Sequence, residues 1–355
     1  MDVTVFNPAF EVTGIIDSYD SLLWNIKYNE YGDFEMVVPY ASGMISLLSM
    51  DSYLMIPFSD RTMIIEKIVP TFDGEKGYLS KVTGRSLESI LSRRIIWKQT
   101  TISGNLQNGI KKLITDAIIN PTDQSRKIPN FIFKDSTDST ITSITINECQ
   151  FTGDNLYDVI QSLCSLFSIG FKITLNDNFQ FVFELYNGSD RSSNQLLNPI
   201  IEFSNNNDNL ISSEYSIDQQ NYCNVTLIAG EDEGTSRKTA TYGSASGLSR
   251  RELFTDARDI QSTDGETTMT PTEYTNALIN RGKEKLLEHD VTTEFDSSVD
   301  NGSDGMFEFN VDYFLGDIVD IVDVIEETFK VRVSEMTISI SESEYSIHPI
   351  FSLIE

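Results

Sequence analysis

The residue types that most often carry catalysis are scarce. The 355-residue chain holds two histidines, His289 and His348, and three cysteines, Cys149, Cys164 and Cys223. A histidine metal centre or a Ser/His/Asp triad needs an imidazole held against further ligands or a nucleophile. His289 ends a predicted surface helix and His348 precedes Pro349, positions that suit capping or solvent exposure. The cysteines form no CxxC pair and suggest no disulfide framework. Cys164 falls on the apolar face of LYDVIQSLCSLFSIGF and Cys223 enters a strand, so both read as packing residues rather than activated thiolates.

Carboxylates, by contrast, are abundant, and a glycosidase would use two of them as acid and base. The pairs Asp317 with Asp320 and Glu326 with Glu327 are expected at strand ends and turns, where solvated charge is the ordinary state. The oxygen-rich VDNGSDGMF around Asp304 and Gly305 lacks EF-hand spacing and reads as a tight turn. GSASG has neither the lysine nor the strand-to-helix setting of a phosphate loop. Catalytic, cofactor and metal sites are therefore not expected. What remains are arginines on an acidic background: Arg85, Arg93, Arg94, Arg237, Arg251, Arg258 and Arg332. The planar guanidinium pairs bidentately with carboxylates, which makes these candidate structural or subunit-contact clamps. The plainer alternative is a surface ion pair worth under about 1 kcal/mol.

Lys and Arg total 26 against 54 Asp and Glu, a formal charge of −28. That balance argues against a surface that wraps nucleic acid. It suits a solvated exterior, or a channel through which a polyanion slides without sticking. With 39% apolar residues the chain can bury a core, and its length suggests two or three domains. No signal-like segment precedes the first strand and no run approaches the ~20 apolar residues of a membrane span, so synthesis in the cytoplasm without membrane insertion is expected.

The elements that would position these residues are mostly strands. From Val3 to Trp97 short strands alternate with polar turns such as Glu30-Tyr31-Gly32-Asp33 and Phe72-Asp73-Gly74, the pattern of a meander or small barrel. SLESILSRR places Leu87, Ile90 and Leu91 on one short helical face. NLQNGIKKLITDAII predicts a helix over Asn105–Ile119 that Asn120-Pro121 stops. FTGDNLYDVIQSLCSLFSIGF predicts another, with Asp154 as N-cap and Gly170 as C-cap, followed by a hairpin of FKITLN and FQFVFELY. Strands return at about Asn198, are interrupted by the polar stretch Glu231–Thr270 and the helix PTEYTNALINRGKEKLLEHD, and resume to the end. The helix has Pro271 in its first turn and a weakly apolar face of Ala277, Leu278, Arg281, Lys285 and Leu286. No short repeat is visible, although the first and last β blocks could be two copies of one barrel.

In this order the segments resemble the tail-hub proteins of long-tailed bacteriophages, namely the siphovirus Gp37-like group and, more distantly, the baseplate-hub or tail-associated-lysin N-terminal module. The resemblance rests on IDSYDSLLWNIKYNEYGDFEMVVP, RTMIIEKI and YLSKVTGRSLESILSRRII, then NVTLIAGEDEGTSR and RRELFTDARDI, and finally FLGDIVDIVD and VRVSEMTISI. It implies a mainly β fold with α+β insertions: a first β-barrel at 1–97, an intervening α+β domain at 98–197, a second barrel at 198–230 and 301–355, and an insertion with the long helix at 231–300. Gly84, Gly316 and Asp317 would be turn residues of the family motifs, with Arg85 bracing a barrel exit and Arg93 and Arg94 at a domain or subunit boundary.

Functionally, the resemblance implies a non-enzymatic homotrimer in the virion tail, made in the host cytoplasm. It would join the tail tube or distal tail proteins to a tip, spike or fibre protein, and enclose a channel for DNA and the tape-measure protein. The same fold would serve a contractile tail-like particle, and a carbohydrate-binding or glycan-degrading tail protein is the alternative of another class. Many tail-associated relatives continue into a fibre, peptidase or hydrolase domain. The sequence ends at Glu355, so such functions are expected in another polypeptide.

Overall fold

Strict alternation builds the strands of the larger part of the chain. Ser21–Lys27 buries Leu22, Trp24 and Ile26, while Asp33–Pro39 buries Phe34, Met36 and Val38. A period of two puts each set on one face of a sheet. The structure, a computed structural model, describes residues 1–40, 42–75, 77–264, 267–299, 306–322, 328–341 and 345–354. Asp304, Gly305, Glu326 and Glu327 lie outside the described residues. Packing divides the chain into two units, the first Met1–Ser89, Gly170–Ser216 and Thr293–Glu355, the second Ile90–Ile169 and Ile217–Thr292.

The first unit is organised on a thirteen-stranded sheet. Its order runs Leu210–Asp218, Thr292–Val299, Tyr345–Leu353, Thr328–Ser341, Ser21–Lys27, Asp33–Pro39, Gly77–Ser86, Met63–Asp73, Tyr53–Met55, Val3–Phe6, Val12–Ile16. Ile318–Val322 pairs with Thr328–Ser341 and, in parallel, with Glu202–Ser204. The N-terminal and C-terminal strand blocks therefore meet in one sheet, where Ser21 faces Ser341 and Lys27 faces Glu335. Among the described residues no strand pairing joins the two edges of this sheet. One apolar core spans both blocks, from Val3 and Trp24 to Phe203, Tyr313 and Phe351. That shared core holds both blocks in the first unit.

Gly170–Leu175 and Phe181–Tyr186 form the expected hairpin, also in the first unit. Its turn is held by Asn176, whose side-chain oxygen accepts from the backbone of Asn178 and Gln180. Gly170 opens this hairpin and caps no helix.

In the second unit, helix Leu106–Ile114 is capped by Asn105 and continues as a π-turn over Thr115–Ile119 before Asn120 ends it. Helix Leu156–Leu166 is capped by Asn155, not by Asp154. The Asp154 carboxylate instead accepts from the Thr152 amide, leaving the amide of Tyr157 to Asn155. The stretch expected to be only a polar interruption contains the strands Thr239–Tyr242 and Glu252–Asp256, which flank Val225–Ala229, and the short pair Thr263–Asp264 and Thr267–Thr268. Exposed edges and mostly polar side chains hid them from a pattern reading. Against this small sheet lies the helix Pro271–Leu287, entered through a capping box of Thr270 and Glu273. Ile228, Ala257, Ile260, Tyr274, Ala277 and Leu278 form the core beneath it.

Candidate functional site

Gly84 and Arg85 sit at the end of strand Gly77–Ser86, inside the sheet rather than in a turn. The partner strand bulges at Glu66, since Ile65 faces Gly84 while Lys67 faces Thr83. The bulge brings the Ile64 carbonyl so close that a Cβ on residue 84 would lie 1.7 Å from its oxygen. Only glycine fits there, for reasons of close approach and not of turn geometry. The same bulge aims Glu66 at Arg85, which donates from Nε at 2.6 Å and from Nη2 at 2.9 Å. The Arg85 guanidinium also lies 4.9 Å from the centre of the Tyr31 ring. Hydrogen bonding to Glu66 pushes the Arg85 pKa further up.

Gly316 and Asp317 mark a junction of charged and aromatic groups. Gly316 has φ +94°, and a Cβ there would meet the Tyr28 ring at 2.4 Å. Arg332 donates to the Gly316 carbonyl at 2.7 Å and stacks on Tyr28 at 4.8 Å. Asp317 was expected to be solvated, yet it is buried. Its carboxylate accepts from Arg191 Nε at 2.6 Å and from the amides of Ser189 at 2.7 Å and Phe314 at 3.1 Å. Asp320 is buried too and accepts from the Ser193 amide at 2.7 Å. A buried carboxylate must be satisfied in this way, and each of the two has donors of its own.

Asp317 borders a cavity of about 760 Å³ in the first unit whose wall carries a network that sequence reasoning missed. Buried Arg61 reaches Asp60 at 2.9 Å, Glu88 at 3.2 Å and the Tyr186 hydroxyl at 3.0 Å. Lys172 closes on Asp60 at 2.7 Å. Glu88 also accepts from the Ile173 amide, and the Tyr186 hydroxyl donates to the Tyr28 carbonyl at 3.2 Å. The available signal was Glu88 itself, the one charge within SLESIL, between the apolar Leu87 and Ile90-Leu91. Burial pushes the Tyr186 phenol up. Against the burial of its guanidinium, Asp60, Tyr186 and Glu88 push Arg61 further up. The guanidinium and the phenol are thus held charged and neutral respectively, tied to each other and to the carboxylates around them.

The other arginines belong to the second unit. Arg237 and Arg258 both clamp Asp256, each at 2.7 Å, and Arg237 donates further to the carbonyls of Ala229 and Gly230. Arg251 donates to the Gln219 carbonyl and lies over Tyr222. Arg94 donates to the carbonyls of Arg126 and Arg93. Arg93 closes the 3₁₀ turn Leu87–Arg93, where a regular helical face was expected. Buried Arg281 forks onto Asp259 at 3.0 and 3.2 Å and donates to the Gln150 carbonyl. Next to it, burial pushes the Glu284 carboxyl up to about 7. Burial also raises the thiols of Cys164 and of Cys149, the latter to about 12. His348 lies on the Tyr345–Leu353 strand with Nε2 2.9 Å from the Ser346 hydroxyl.

Residues 2–351 match the family described as Siphovirus ReqiPepy6 Gp37-like protein, and the chain belongs to that family. No curated protein matches its sequence. Three solved structures share the fold at low identity. The prophage tail protein gp18 of Listeria monocytogenes is 15% identical with TM-score 0.53, over 99% of this chain and 94% of that one. The 43 kDa tail protein of prophage MuSo2 from Shewanella oneidensis is 11% identical with TM-score 0.57, over 100% and 98%. The tail protein from Neisseria meningitidis is 12% identical with TM-score 0.57, over 99% and 96%.

Proposed function

We propose that the protein is a structural component of a bacteriophage tail: a homotrimeric hub that joins the distal tail or tail tube to the tip or spike and encloses the exit channel. The observation that carries this reading is fold similarity to tail proteins, two of them from prophages, over nearly the full length of both chains, together with family membership. In this reading the N-terminal and C-terminal strand blocks of the first unit act as two related barrel-like lobes. Three chains then present six lobes, which matches a threefold hub to a hexameric tube. The chain's charge of −28 suits a wall past which DNA and the tape-measure protein slide, because like charge repels phosphates. Arg85, Arg237 and Arg258, each held by a carboxylate of its own unit, serve as braces in this reading, and Arg93 and Arg94 serve a domain or subunit boundary.

The test is negative-stain imaging of the purified chain across a concentration series. Three-subunit rings with a central hole are expected. Particles without a hole at every concentration would overturn the ring.

A further inference from the structure

The sharpest charge asymmetry lies in the second unit. Residues 93–134 carry eight of the chain's 26 lysines and arginines but two of its 54 aspartates and glutamates, a net +6. The remainder carries 18 against 52, a net −34. Some of these cations are neutralised nearby: Lys111 meets Asp135 at 2.6 Å and Lys112 meets Asp116 at 3.6 Å. Arg94, Lys98 and Arg126 form no ion pair among the described residues. Their donors go to the Arg126 carbonyl at 3.1 Å, the Thr122 hydroxyl at 3.3 Å and the Ile95 carbonyl at 2.7 Å. Burial and the nearby Arg126 and Arg93 hold Arg94 below the usual arginine value, while Arg126 is also within electrostatic reach of Asp123.

A recess with an apolar floor and a polar rim adjoins these cations. A cavity of about 440 Å³ is lined by buried Ile96, Leu113 and Ala117, by Trp97, by the cations Lys98, Lys112 and Arg126, and by the carboxylates of Asp116 and Asp123, so cations outnumber acids on its wall by three to two. Trp97 is 66% exposed, with the Arg126 guanidinium 5.1 Å from its ring centre. An exposed aromatic beside a recess and fixed cations is the make-up of an interaction hot spot.

We propose that this basic face docks a second copy of the chain, whose carboxylates pair with Arg94, Lys98 and Arg126 and whose apolar side chains cover Trp97. The inference rests on the homotrimer reading and names the face that builds it. The complement is present on every copy, since the chain outside this segment is strongly acidic. Two such faces repel each other, so the contact joins the basic face to an acidic surface of the next copy, which in the homotrimer reading closes into a ring. Nucleic acid suits the face less well, because the net charge of −28 repels a polyanion on approach and an isolated recess offers no phosphate track.

Sedimentation velocity of the full chain at low and high salt tests this, comparing wild type with the triple variant Arg94→Glu, Lys98→Glu, Arg126→Glu. The expected result is self-association of the wild type that weakens with salt, and association at least about tenfold weaker in the variant. Circular dichroism melting checks that the variant is folded, and the single exposed-site change Lys98→Glu replaces it if it is not. A variant that associates like wild type would overturn the face and leave the ring standing. A wild type that stays monomeric at every concentration in low salt would overturn both. Binding of a single-stranded DNA oligonucleotide by wild type and not by the variant would reassign the face to nucleic acid.

Discussion

The two units treat charge in opposite ways. In the first, buried charges are matched across elements: Arg61 with Asp60 and Glu88, Arg191 with Asp317, and Arg332 with a backbone carbonyl and an aromatic ring. In the second, Arg281 is matched by Asp259, but Glu284 lies 3.7 Å from Arg281 with a carboxyl that burial raises to about 7, and Arg94, Lys98 and Arg126 form no close ion pair among the described residues, Asp123 acting on Arg126 only from a distance. The same residue types thus lock one unit and leave the other with unspent electrostatic interactions. What decides the role of an arginine is which acid the fold brings within reach, not the arginine itself.

The largest expected effect breaks the lock. Asp317→Ala strands the guanidinium of Arg191 and two backbone amides around a buried carboxylate site and should cost about 3–5 kcal/mol, read from the urea midpoint. A smaller loss by the same assay would mean that the charges of this junction are already solvated.

The second effect is a pH dependence that only the second unit should show. Folding raises the Glu284 carboxyl from 4.5 to about 7, so the folded state holds this proton more tightly than the unfolded chain. Its contribution is therefore most favourable below about pH 4.5 and is lost as pH rises through 7, by about 3 kcal/mol in all. Glu284→Gln should flatten that part of the stability curve. An unchanged curve would show that another group titrates.

Third, Gly84→Ala should cost about 1–3 kcal/mol by forcing the bulge at Glu66 away from the strand. Smallest of all, Arg258→Ala should leave the melting midpoint where it is, since Arg258 is exposed and Arg237 still holds Asp256, whereas Arg237→Ala should lower it. Equal shifts for the two would mean that burial does not govern the worth of these pairs.

Much of the fold was legible because its strands alternate cleanly and its helices carry their own stop signals. Leu22, Trp24 and Ile26 announce a strand, and Asn120-Pro121 announces an ending. The merging of the two β blocks into one core was not legible, because Ser21–Lys27 meets Thr328–Ser341 from some 310 residues away and local pattern says nothing about partners. The site was legible in part. Arg85, Gly316 and Asp317 were singled out, but Arg61 and Tyr186 gain their roles only when Met1–Ser89 and Gly170–Ser216 pack together. Gly84 was noticed for the wrong physical reason, since a turn and a bulge both favour glycine. The basic run at 93–134 was visible all along, hidden by averaging its charge over an acidic chain.

The central claim is that this chain assembles into a ring of three. Native mass spectrometry of the full-length protein over a concentration series tests it most directly. A dominant species of three times the 40.0 kDa chain mass is required. A monomer or an even-numbered assembly at every concentration would contradict it.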